Sequence, residues 1–221
     1  MISLDTIDSL IKLIVMTLAY GISVTLGGYF RAWTATKMGD DTAERLGFLT
    51  LNPFAHFDLF GYALLCLISI GRGGYVPVDW SAFTGRFRIA KCVLVFLSDT
   101  LVYLLLSASA LTFMIALFGE RGIMLSNALY ATAEPSSFAL VLIKLVSAMI
   151  YLNITLAIIS LGGNIMGLFL RTARTKAQDY APWVIIAPII LLVLFVPCVL
   201  SGCFTVIVAH VGSFLAKLLG V

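Results

Sequence analysis

Charge is what this chain has least of. Only 11% of its 221 residues are Asp, Glu, Lys or Arg, against 61% hydrophobic, whereas an average soluble domain is about 25% charged. A soluble domain of this length must clothe its core in polar side chains. The soluble, disordered, fibrous and nucleic-acid-binding classes therefore fit poorly, and a net charge of +3 is too small to attract a nucleic acid. Two histidines and four cysteines leave little material for a metal centre. Cys66, Cys92, Cys198 and Cys203 form no CxxC pair, lie in or beside apolar segments, and read as small buried hydrophobes. The first nine residues lack the basic region of a secretory leader, so the first apolar stretch is read as an uncleaved anchor. No serine elbow or phosphate-cradling loop is present. The glycine pairs at 73–74 and 162–163 are too short for one and fit turns or close packing.

What the chain does have is long apolar runs. A helix needs about 20 mostly apolar residues to cross the hydrocarbon core. Residues 10–30 qualify, with Lys12 placed where it can snorkel. Residues 92–117 form a second run containing Asp99, and residues 138–170 a third, interrupted by Gly162-Gly163-Asn164. Residues 48–71 are broken by Asn52-Pro53, His56 and Asp58, so their clean apolar stretch is too short for a crossing. Residues 72–91 and 118–137 read as loops, and residues 75–79 (YVPVD) as an extended edge. Residues 181–221 are nearly all apolar and fit either one span plus an interfacial helix or two spans joined by a tight turn.

The charged residues set a topology. Five of them (Lys12, Asp58, Asp99, Lys144 and Lys217) fall outside the N-terminal stretch and the four loops. Basic loops favour the cytoplasmic side, which places residues 72–91 and 171–180 inside and the N-terminus outside. Residues 31–47 also face in only if residues 48–71 enter and leave on one side. That makes them a re-entrant segment, allowed where it is buried in protein or lines a cavity.

Three stretches then carry a resemblance: LGGYFRAW (26–33), MGDDTAERLG (38–47) and TLNPFAHFD (50–58). Together they resemble the site-2 protease family of intramembrane zinc metalloproteases, whose short-loop bacterial members read H-E-x-x-H-A, then G-D-x-T-A-x-R-x-G, then L-x-L-N-P-x-A-H-x-D-P-x-G. YVPV (75–78) is similar to the family's K-P-V-P-V strand, SDTLVY (98–103) sits where the family has A-G-P-x-x-N, and LNITLAIISLGG (152–163) is similar by spacing to its L-N-L-L-P-x-P-x-L-D-G-G. The resemblance implies a helical membrane core over roughly residues 10–170.

It also implies a site that is missing here. In the family two histidines and an aspartate bind zinc, and a glutamate activates water. The matching positions hold Gly27, Gly28, Arg31 and Leu161, while Asp99 and Thr100 replace a Gly-Pro pair and Tyr103 an asparagine. The expectation is a pseudoprotease with no cofactor. Gly27-Gly28 fits close helix packing or a vestigial cavity open to a lipid or partner helix. His56, with Asp58, is weighed as a hydrogen-bonding residue against a metal ligand, and Asn52 and Pro53 as structural or partner-binding. Asp99 and Lys144 are expected to pair with each other or with another subunit, because a lone intramembrane charge is costly.

The reading is an all-α polytopic membrane protein of four to six spans, with residues 1–180 a site-2-protease-like core and 181–221 additional C-terminal membrane helices. Its expected partners are other membrane subunits and the lipid bilayer, and no nucleic acid. A bacterial inner membrane, or an organelle membrane of bacterial descent, is the expected location. The expected role is a non-catalytic scaffold or partner-helix binder, with an ion- or proton-conducting subunit using Asp99, Lys144 and His210 as the alternative.

Overall fold

The computed structural model describes residues 4–68, 71–132 and 138–174. Among them there are helices and connecting segments, and no strand. Three long helices carry the architecture: α1 (Leu4–Met38), α5 (Arg88–Thr132) and α6 (Phe138–Arg174), with the short α2 (Thr42–Arg45), α3 (Pro53–His56) and α4 (Leu59–Ile68) between the first two. The portions Ser9–Met38, Arg88–Phe118 and Phe138–Ile165 are long and apolar enough to cross a membrane. Residues 181–221, and His210 with them, lie outside the described residues.

Two helix ends are set by glycine. Gly39 and Gly47 adopt φ of +109° and +81°, a region costly for any residue with a Cβ. The Asp40 amide then reaches back to the Ala35 carbonyl (2.9 Å) and the Phe48 amide to the Ala43 carbonyl (2.9 Å), which satisfies the orphan carbonyls at the ends of α1 and α2. The turn after α1 is tied down by Asp40. This fully buried carboxylate accepts from the Thr42 amide (3.0 Å) and the Asp79 amide (2.7 Å), joining α2 to the incoming chain of α5. Asp40→Ala is expected to cost about 2 kcal/mol, the scale for leaving buried donors unpaired. Faster hydrogen exchange at the Thr42 and Asp79 amides is the check.

α5 and α6 pack antiparallel around Leu111, Met114, Ile115, Ile143, Val146 and Ile150. α1 lies against both, with Val15, Ala19, Tyr20 and Val24 meeting Tyr103 and Leu152. Such burial of apolar area gives roughly 25 cal/mol per Å² in water; inside a bilayer, close packing and hydrogen bonding between helices take over.

Residues 56–68 and 71–78 form two limbs that both lie against α1. The inbound limb passes Gly28 with His56, Tyr20 with Asp58 and Thr17 with Tyr62, and Leu65 reaches the cluster of Val15 and Ala19. The outbound limb passes Tyr20 with Gly71 and Val24 with Gly73, then brings Val76 to Ala32 and Val78 to Ala35. The Tyr20 hydroxyl clasps the two limbs, 2.6 Å from the Arg72 carbonyl and 3.1 Å from that of Asp58. Gly61 admits the Arg72 carbonyl where a Cβ would collide with it. The chain enters the inbound limb through α3, where Asn52 Oδ1 caps the helix at the Phe54 amide (3.1 Å) and Pro53 takes its first position.

Four expectations need correction. Residues 118–132 are not a loop, because α5 continues unbroken to Thr132. Gly162-Gly163-Asn164 does not interrupt the third run, since packing against α5 holds α6 helical through it. Residues 31–38 belong to α1 rather than to a polar loop. Residues 75–79 are extended but have no neighbouring strand among the described residues to pair with.

A buried ion pair at the candidate functional site

Arg31 sits two turns from the end of α1, on the face that meets α5. Its Nη1 donates to Asp99 Oδ2 at 2.9 Å, with the two side chains only 13% and 10% exposed. α6 completes the site. Ser160 Oγ donates to the same Oδ2 (2.8 Å) and lies 3.1 Å from Thr100 Oγ1. Asn164 Nδ2 donates to the Phe96 carbonyl (2.7 Å) and stands 3.2 Å from Ser160 Oγ. Asp99 Oδ1 accepts from its neighbour's amide, Thr100 N, at 2.9 Å. Three helices therefore meet on one carboxylate.

A guanidinium has no lone pair to offer a metal. The energetic logic is that of a buried pair: each charge costs several kcal/mol to desolvate and is sustained by its partner and the surrounding hydrogen bonds.

The two glycines before Arg31 face occupied space. A Cβ on Gly27 would stand 2.5 Å from the Tyr103 ring, and one on Gly28 would collide with the His56 imidazole. Tyr103 and His56 thus pack directly against Gly27 and Gly28. His56 is 1% exposed. Its Nε2 lies 2.9 Å from the Thr50 carbonyl, and a carbonyl only accepts, so Nε2 carries the proton. Nδ1 faces Gly28 and has no hydrogen-bond partner. Asp58 does not join His56: it caps α4 at the Phe60 amide (3.2 Å) and pairs with Arg72 Nε at 3.2 Å.

The pairing expected between Asp99 and Lys144 is not the one found, since Asp99 takes Arg31. Lys144 lies sixteen residues before Ser160 on α6, about 24 Å along the helix axis. Leu161, which matches the family's aspartate, is 39% exposed and outside the network. Sequence reasoning misses Ser160 and Asn164 as site residues. Their i, i+4 spacing in an apolar run is the available signal, because it puts two polar groups on one helix face.

Seventy-one residues of the chain are 41% identical to "Putative zinc metalloprotease YwhC" of Bacillus subtilis (strain 168). The likeness is to a zinc metalloprotease. It covers 32% of this chain and 32% of that protein, so the match spans about a third of the relative's length. No family profile and no solved structure matches the chain. The likeness supports the resemblance to site-2 proteases, and the relative's name pulls towards an enzyme. Among the described residues no three His, Cys, Asp or Glu side chains gather to hold an ion, and Arg31 places a cation beside Asp99.

Proposed function

We propose that this chain is a non-catalytic membrane subunit with a site-2-protease-like core. It acts as a scaffold that engages the transmembrane helix of a partner and does not cleave it. The observation that carries the reading is the Arg31–Asp99 ion pair, held by Ser160 at 2.8 Å. It stands where the resemblance puts a metal ligand, and a fixed guanidinium supplies the positive charge that would link the helices through a metal. Tyr103 and His56 occupy the space in front of Gly27 and Gly28, so neither zinc ligands nor a water-activating carboxylate has room there.

In this reading the partners are other membrane subunits and the surrounding bilayer. The location is a bacterial inner membrane, or an organelle membrane of bacterial descent, with the N-terminus outside by the basic-loop rule. Residues 1–180 form the core and 181–221 add membrane helices. Purification of the full chain in mild detergent is the test. The expected result is far less than one zinc per chain, no cleavage of membrane-spanning peptides, and a stoichiometric membrane protein that co-purifies. Stoichiometric zinc together with cleavage that disappears in His56→Ala would overturn the reading.

A further inference from the structure

The chain leading into α5 presents a surface that the buried site does not use. Residues 84–90 are exposed without interruption. Within them Arg86 and Arg88 alternate with Phe87 and Ile89, which are 69% and 79% exposed, and Lys91 follows one turn on. No acidic residue occurs between Asp79 and Asp99. None of the three cations makes an ion pair among the described residues. Val95 packs with Ala35, so this stretch lies level with the end of α1, where Lys37 occupies the last turn. It is therefore at the end of two candidate spans, at the depth of a bilayer's headgroups.

Two bare arginines in water need no explanation, but two large apolar side chains set between them do. Both sets are satisfied in one environment only, where Phe87 and Ile89 enter the acyl boundary and the cations meet phosphates. We propose that Arg86, Arg88 and Lys91, with Phe87 and Ile89 inserted between them, form a binding site for anionic phospholipid headgroups. Each basic residue close to an anionic surface contributes about a fivefold preference, so the three together give a strong selection over zwitterionic lipid.

The full chain, reconstituted in nanodiscs of phosphatidylcholine with a minor fraction of phosphatidylglycerol, provides the test. Native mass spectrometry after mild detergent exchange is expected to show phosphatidylglycerol retained far above its share. Arg86→Gln/Arg88→Gln/Lys91→Gln is expected to reduce that enrichment about tenfold or more. Equal retention by the variant overturns the proposal. A second readout needs no variant. The amine reactivity of Lys91 is expected to fall in discs containing phosphatidylglycerol and not in pure phosphatidylcholine, and equal reactivity overturns the proposal. Two further arms separate the sources of negative charge. Protection of Lys91 by inorganic phosphate in phosphatidylcholine discs would assign the site to a soluble anion instead. Protection by an acidic peptide but not by phosphatidylglycerol would assign it to a protein partner.

Discussion

Arg31→Ala lowers the stability of the detergent-solubilised chain by about 3–5 kcal/mol, the range for stranding one member of a buried ion pair. The loss comes less from the missing attraction than from what remains. The Asp99 carboxyl is left buried among three helices with only hydroxyl and amide donors around it. Asp99→Ala acts in the same direction, because the Arg31 guanidinium, whose Nε already lacks a partner, loses the acceptor for Nη1. The pair Arg31→Met with Asp99→Leu separates charge from shape. It removes both desolvated ions and leaves packed apolar side chains, and is expected to recover most of the stability that either single change loses. Thermal unfolding of the four proteins in one detergent checks the set. A double variant no more stable than the singles would show that the hydrogen-bond network, not the charge, joins the helices.

Gly28→Ala is expected to destabilise by about 1–3 kcal/mol, the cost of overfilling a packed interior. The sign is informative because alanine in a helix is ordinarily better than glycine by about 1 kcal/mol. Gly21 provides the contrast on the same helix: a Cβ there meets nothing within 4 Å, so Gly21→Ala should stabilise. His56 cannot simply move aside for the Gly28 substitution. The Thr50 carbonyl holds its Nε2 and the Phe48 ring lies 6.0 Å from it. Gly28→Ala combined with His56→Ala should therefore be less damaging than the two single losses added together, by about 1–2 kcal/mol of coupling. Strict additivity would mean that the imidazole and Gly28 do not press on each other.

How far the sequence leads depends on the range over which each signal acts. The helical membrane class follows from composition and run length, which are local and abundant. The break in the apolar run at Asn52-Pro53 is legible too, because a capping side chain and a proline at the first helical position are local signals that α3 obeys. The continuity of α5 past Phe118 is not. Hydropathy ends a span where charges such as Glu120 and Arg121 begin, while a helix outside a bilayer tolerates them. At the site, the sequence singles out Arg31 as a lost ligand and Asp99 as an unexplained charge. Their pairing escapes it because they are 68 residues apart, and only the packing of α1 on α5 brings them together. Gly27 and Gly28 are read correctly as small, but what leans on them, Tyr103 and His56, comes from two other segments.

Helix α5 runs for 45 residues, about 68 Å at 1.5 Å per residue. That is more than twice the roughly 30 Å thickness of a hydrocarbon core, so the rod has a long arm on the far side from Arg88. It is held near its basic end by the Asp99 clamp and again, about 18 Å further on, by the packing of Leu111 and Ile115 on α6. Two grips along one rod set its direction as well as its position, so the ion pair and the apolar cluster together fix the tilt of α5 against its neighbours.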